Sequence, residues 1–428
     1  QVGAEEPMSA DQVVWSEQSR LHISLKGTID LNGGAGTQGR FTVVTDIDGN
    51  VSGDGFTIAN HGVRVNDTVL LSSGNTVVKA LVTAVASEAI DVKSYETAVL
   101  EGLSEVASAT TLLVYGSEFK KGDTYGGSDA RTANEPTFKS FSNKPIILKD
   151  YYEVSGSDAS RIGWVEITSE GGASGYLWYL KAESDTRSRF TDYLEMSMLE
   201  SQKAEDASVT DTALAGAGTA TGTQGLFDAI EERGNVTSGI SGVNAATDLA
   251  EFDAILAEFD KQGAIEENML FVNRTSSLAI DDMLASMNSY GAGGTSYGVF
   301  SNDEEMALNL GFSGFRRGSY DFYKSDFRYL NDKATRGGIN LTAGSAAIRG
   351  AIIPAGTSNV YDQQLGKNLT RPFLHVRYRA SQTDDRKMKT WVTGSVGAAT
   401  SSLDAMQIHF LSERCLVTQG ANNFMLMK

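Results

Sequence analysis

The histidines are the first residues to test for chemistry. There are four, His22, His61, His375 and His409. A helical zinc site sets two imidazoles four residues apart, so that both reach one ion, as in His-Glu-x-x-His. None of the four has such a partner, and each reads as a packed or surface histidine. Cys415 is the single cysteine, which rules out an internal disulfide or a Cys-rich metal cluster. It lies in the apolar run Cys415-Leu416-Val417 and reads as an inert buried thiol. Three carboxylate pairs, Asp281-Asp282, Glu304-Glu305 and Asp384-Asp385, are adjacent in sequence. Chain neighbours point apart, so these read as solvated faces or caps, not as an acid and base sharing one substrate.

The loops that might cradle a ligand fail in the same way. Gly366-Lys367-Asn368 puts Asn where a phosphate loop needs Ser or Thr for Mg²⁺, and Tyr361 where it needs its first Gly. Gly216-Ala217-Gly218 follows a helical stretch and has Thr221 in place of a third Gly, against a dinucleotide site. Asp46, Asp48, Asn50 and Asp54-Gly55 hint at calcium. A calcium loop starting at Asp46 would need Glu at its twelfth position, however, and Thr57 stands there; a hairpin turn is the expectation. Gly311-Phe312-Ser313-Gly314-Phe315 lacks the closing Gly of a nucleophile elbow. Asn50, Asn66, Asn235, Asn273, Asn340 and Asn368 begin Asn-x-Ser/Thr triplets. Gln1–Ala10 shows neither a basic start nor an apolar block, so no signal peptide is expected and glycosylation has little support. No catalytic, cofactor-binding or metal-ligating residue is assigned, and no enzyme is expected.

The elements that would have to position any site are clearer. The chain has 428 residues, length for two to four structural units, with 45 Gly, 5 Pro and a formal charge of −18. That charge argues against a dedicated nucleic-acid binder. No run of about 18 apolar residues is present, so no membrane span is expected. Residues 1–35 read as a polar arm holding Val13, Val14, Trp15, Leu21, Ile23 and Leu25. Residues 36–117 carry short β-type runs separated by Asp48-Gly49, Asp54-Gly55 and Ser73-Gly74-Asn75, which predicts a small β barrel or sandwich. Residues 118–172 are a second extended stretch. Tyr176–Lys203 has no Gly or Pro and predicts a helix roughly 40 Å long. Residues 226–369 alternate helix and strand: a helix at Leu249–Phe259 with Asp248 as candidate cap, a strand at Met269–Asn273, and a helix at Ser276–Ser286 capped by Ser276 or Ser277. Phe373–Arg379 and Lys389–Val396 predict strands paired around the Thr383-Asp384-Asp385-Arg386 turn, and Ile408–Val417 and Phe424–Met427 close the chain. The fold class is α+β.

This order resembles the capsid fold of tailed double-stranded DNA bacteriophages, the Hong Kong ninety-seven type. Gly225-Leu-Phe-Asp-Ala-Ile-Glu231, Met269-Leu-Phe-Val-Asn-Arg274, Gly350-Ala-Ile-Ile-Pro354 and Phe410-Leu-Ser-Glu-Arg-Cys-Leu-Val417 resemble its local stretches. Asn143-Lys-Pro-Ile-Ile-Leu-Lys-Asp-Tyr-Tyr-Glu-Val-Ser-Gly-Ser-Asp158 resembles subunits of crAss-like phages. The resemblance covers about four-fifths of the chain. It implies an N-terminal arm (1–35), an inserted small β domain (36–117) and an extended β-hairpin loop leading into the peripheral domain (118–172). The spine helix lies in 173–225, the axial α/β domain is 226–369, and 370–428 supply closing strands. It implies hexamers and pentamers forming an icosahedral shell around DNA held without specific binding. Portal and other virion proteins, and auxiliary or decoration proteins, are the implied partners, with no cofactor and no membrane. Assembly in the bacterial cytoplasm and residence in the virion follow. Trp15 is then the expected anchor of the arm on a neighbouring subunit. A secreted surface-layer or adhesin-type structural protein is the competing reading, and an enzyme with an unrecognised site is the third.

Overall fold

A computed structural model describes residues 4–18, 20–31, 37–51, 58–96, 100–103, 110–122, 138–159, 166–168, 174–204, 222–263, 265–287, 314–362, 367–396 and 399–428. The chain divides into two compact units, residues 16–141 and residues 1–15 with 142–428.

The smaller unit is a closed six-stranded barrel. Its strands are β3 (Ser24–Asp30), β4 (Gln38–Asp46), β5 (Asp67–Ser73), β6 (Thr76–Ala86), β7 (Ala89–Ser94) and β8 (Thr110–Ser117), in the order β3-β4-β7-β6-β5-β8. Every second residue points inward, and Leu25, Ile29, Phe41, Val43, Val69, Leu71, Ile90 and Leu112 fill the interior. The first strand corrects the arm reading. The sequence places Ser24–Asp30 in the arm, yet Leu25 and Ile29 are each 2 % exposed and belong to the barrel core. Gly27 lies between them at a register shift in the β3–β4 ladder. A Cβ there would come within 2.1 Å of the Thr42 carbonyl oxygen, so only glycine lets the two backbones approach.

The larger unit holds two main sheets. One has β1 (Glu5–Met8), β20 (Leu374–Arg379), β22 (Ala405–Thr418) and β10 (Ile146–Ser155) in that order, with β21 (Lys389–Gly394) also on β22. The expected pairing of Phe373–Arg379 with Lys389–Val396 is not formed. β20 pairs with Arg414–Thr418 and β21 with Met406–Leu411, successive stretches of the same long strand. At 14 residues β22 has room for both, and it receives β10 along its other side. Helix α1 (Leu177–Glu200) lies on this sheet, packing Phe190 and Leu194 against Ile408 and Phe410.

The second sheet is mixed: β13 (Asn235–Thr237), β23 (Met425–Met427), β17 (Gly350–Pro354), β14 (Glu267–Val272), β16 (Tyr320–Asp326) and β15 (Gly314–Arg317). Its central strands are apolar on both faces, which explains their unbroken hydrophobic runs. Leu270, Val272, Ile352, Met425 and Met427 face helices α3 (Ala245–Gln262) and α4 (Arg274–Met287). Ala351, Ile353 and Leu426 face the other way, toward α2 (Leu226–Arg233) and the first sheet's Leu374 and Leu416.

Both expected caps move. α3 starts at Ala245, and the Asn244 side chain accepts from Ala246 N and Thr247 N at 3.1 and 3.0 Å. Asp248, one turn in and buried, accepts from Gly242 N instead. α4 starts at Arg274, and Asn273 Oδ1 accepts from Ser276 N at 2.8 Å. In each case an Asn reaches back over the first turn better than the residues nearer the apolar stripe. Three two-stranded ribbons complete the description: β2 (Val13–Gln18) with β9 (Phe138–Asn143), β11 (Glu166–Thr168) with β12 (Ser174–Tyr176), and β18 (Thr357–Asp362) with β19 (Lys367–Pro372).

Candidate functional site

The densest polar constellation is where the N-terminal strand joins the first sheet. β1 runs parallel to β20, with Glu5 beside Val376 and Met8 beside Arg379. Val376 N donates to Ala4 O at 2.8 Å and Ala380 N to Met8 O at 3.0 Å. The two acidic residues alternate in direction, as strand neighbours must, and each meets cations. Glu5 pairs with Lys387 and lies 3.8 Å from Arg414. Glu6 pairs with Arg377 at 2.8 Å and Arg371 at 3.4 Å. Beyond the strand, Asp11 pairs with Arg379, which also pairs with Glu413 at 3.1 Å, as does Arg386.

Exposed ion pairs contribute little, about 0–1 kcal/mol. In two of these the cation is largely covered. The Arg377 and Arg414 side chains are 15 % and 8 % exposed. Burial pulls both guanidinium groups below their ordinary pKa, and the carboxylates of the arm, Glu6 for Arg377 and Glu5 for Arg414, oppose that pull. Removing the arm would take a counter-charge from each, while Arg414 would keep the Lys387 carbonyl and the Ser412 hydroxyl as acceptors, each at 2.9 Å.

Trp15 was expected to anchor on a neighbour. In this chain it is 8 % exposed, and the Arg233 guanidinium sits 5.7 Å from its ring centroid. A second polar hub lies at the end of β9, three residues before β10. Asn143 is 1 % exposed; its Nδ2 donates to Leu416 O at 2.7 Å and Gln224 O at 3.1 Å. Its Oδ1 accepts from Gln224 N at 2.9 Å and from the Thr223 hydroxyl at 3.1 Å. One side chain thereby fastens the segment before α2 to β22. In sequence Asn143 stands only at the head of the stretch Asn143–Asp158, with no local sign of this role. The arm's pairing has none either, because the partners of Glu5 and Glu6 lie more than 360 residues away. Paired Glu5-Glu6 and the alternating Arg377-Tyr378-Arg379 were the available signals.

The residues tested for chemistry are not brought together. His61 is buried and accepts from Val63 N through Nδ1, and burial lowers its pKa. His375 is buried beside the Pro372 carbonyl, and burial lowers its pKa as well. His409 is stacked between Tyr151 and Trp391 in a ladder across β10, β22 and β21. His22 is exposed. Burial pushes the Cys415 thiol up to about 12, far from a thiolate at neutral pH. Asp46 accepts from both the backbone and side-chain nitrogens of Asn50, and Asp48 from Arg20, which makes a turn closed by hydrogen bonds. Asp281 is tied to Lys324 while Asp282 faces solvent. Asp384 meets Lys389, and Asp385 caps Lys387 N. No group of three or more His, Cys, Asp or Glu among the described residues could hold a metal ion. Asp54-Gly55, Gly216–Gly218, Glu304-Glu305, Gly311–Ser313 and Gly366 lie outside the described residues. Among the described residues no helix is long and apolar enough to cross a membrane.

No protein-family model matches the chain, and no curated protein does. Solved structures with similarity include one described as "Microbacterium phage Oxtober96", at 8 % identity over 100 % of this chain and 89 % of that one, with a TM-score of 0.40. The asymmetric unit of the bacteriophage PhiM1 mature capsid matches at 9 % identity over 72 % of this chain and 78 % of that one, with a TM-score of 0.36. The capsid structure of the cyanophage P-SCSP1u matches at 8 % identity over 73 % and 80 %, with a TM-score of 0.37. These scores are too low to establish a shared fold.

Proposed function

We propose that the chain is a major capsid protein, the shell-forming subunit of a tailed double-stranded DNA bacteriophage. One observation carries the reading: the order in which the larger unit is built. An N-terminal strand docks on a sheet edge, a β strand and a short hairpin follow, and a 24-residue helix then lies across that same sheet. The chain next forms a mixed α/β sheet and returns to the first sheet through β20, β21 and β22. This order supports the arm, loop, spine, axial and closing-strand reading that the sequence resemblance implies, in which the barrel would be the inserted domain.

The chemistry of such a protein is non-covalent: strand addition, apolar burial and ion pairing. The arm clasp contains all three. In this proposal the subunits form hexamers and pentamers on an icosahedral shell, assembled in the bacterial cytoplasm and kept in the virion. The net charge of −18 supports a wall that encloses duplex DNA without gripping it. Portal and decoration proteins are its proposed partners. Trp15 fixes the arm's course beside Arg233, and in this proposal the arm so placed meets a neighbouring subunit.

Electron microscopy of lysate from cells co-expressing the chain with its assembly partners tests the proposal. Closed shells of uniform size, or hexamers and pentamers, are expected. A homogeneous monomer at high concentration, with no particles, sinks it; long open lattices would favour a surface-layer protein.

A further inference from the structure

The outer wall of the barrel carries a groove of about 690 Å³ along β6 and the adjoining ends of β5, β7 and β8. Its volume lies within the range of about 300–1,000 Å³ typical of small-ligand sites. Strand alternation builds it. Val78 and Ala80 point into the core, so Lys79 between them points out. Tyr95 N donates to Lys79 O at 3.2 Å, which holds the end of β7 beside β6. Tyr95 and Tyr115 are each 52 % exposed, a large aromatic area to leave in water. Glu96, Glu118, Lys79 and Ser94 line the groove with them. Tyr95 donates its hydroxyl hydrogen to Glu118, which ties an aromatic wall of the groove to one of its carboxylates.

The lining selects among ligand classes. Two carboxylates against one lysine repel phosphate, which excludes a nucleic-acid strand. An apolar ligand would leave the carboxylates and the ammonium desolvated without partners. A pyranose presents an apolar C–H face and a rim of hydroxyls that both donate and accept. Aromatic faces bordered by acceptors and donors meet both demands at once. We propose that this groove binds a neutral oligosaccharide, with Tyr95 and Tyr115 as stacking platforms and Glu96, Glu118 and Lys79 reading the hydroxyls. The inference stands apart from the shell reading, because it uses the barrel alone.

The test is saturation-transfer-difference NMR on the full-length chain with cellohexaose, maltohexaose and chitohexaose. Transfer to at least one sugar is expected. Tyr95→Ala and Tyr115→Ala should each weaken binding by about tenfold, while Tyr115→Phe, which keeps the ring, should retain it. Glu96→Gln and Lys79→Ala alter exposed side chains and keep the test open should a tyrosine variant unfold; both should lower affinity. Silence from all three sugars would overturn the proposal. So would undiminished binding in the double tyrosine variant, or a groove that takes up oligolysine while the sugars stay silent.

Discussion

The barrel and the arm-bearing sheet solve the same problem in opposite ways. Both are antiparallel in the main, and both would expose backbone at an edge strand. The barrel removes its edges by closing β8 onto β3, and its interior is apolar. Its contacts come from residues within about one hundred positions of each other. The five-stranded sheet stays open and covers one edge with β1, drawn from the far end of the chain and held by ion pairs. Closure gives stability that salt hardly touches; a borrowed edge strand gives stability that conditions can adjust.

Four measurements break or sharpen that contrast. The largest effect should come from Phe41→Ala. Phe41 is fully buried in the barrel, and such truncations cost about 3–5 kcal/mol. Calorimetry should show one transition lowered while the other, from the larger unit, keeps its temperature; a common shift of both would mean that the two units unfold together. Next comes Asn143→Ala, which strands the Leu416 carbonyl and the Gln224 amide at about 1–3 kcal/mol for each buried group. Amide exchange in β22 and at Gln224 should speed up, and the barrel's should not.

The paired change Glu5→Gln with Glu6→Gln ranks third. It should raise exchange at the Val376 and Ala380 amides, which donate to the arm. Raising salt should do the same to the unaltered chain and leave the barrel's amides alone. If neither moves those two amides, backbone pairing alone holds the arm.

The smallest effect is a shared acid sensitivity. His61 in the barrel and His375 in the sheet both have folded pKa values lowered by burial. Each therefore contributes stability that is present above its unfolded pKa, about 6.5, and is lost as pH falls toward the folded value. His61→Gln should flatten that dependence in the barrel transition only, read from melting temperatures across pH 5–7.

Much of the architecture could be read from side-chain period. The alternation in Phe41–Thr45 and Thr76–Val82, the Gly-free stretch that becomes α1, and the apolar runs of β14 and β17 each carry a local signature. What escaped depends on distance or on competition. Ser24–Asp30 looked like an arm because its partners, β4 and β8, had to be folded before Leu25 and Ile29 had an inside. Lys389–Gly394 looked like a hairpin partner for β20 because the turn between them is real, while the choice of β22 by both strands is a tertiary outcome. The caps at Asn244 and Asn273 lost out in sequence to Asp248, Ser276 and Ser277, which are equally good cap types. The clasp joins residues from opposite ends of the chain, and no period records such a meeting.

The long strand β22 has a mechanical consequence. Ten consecutive residues, Ala405–Arg414, are matched one to one with Ser155–Ile146 of β10, while β21 and then β20 grip the opposite side. A pull along the strand axis loads this ladder in shear, so its rungs bear tension together and do not open one at a time like a zipper. Only Gln419 and Gly420 separate the end of the strand from the 3-10 turn Ala421–Asn423, after which the same backbone enters β23 of the second sheet. Tension applied to one sheet is thereby handed to the other through a short taut tether, and the larger unit should resist stretching along that line far more than across it.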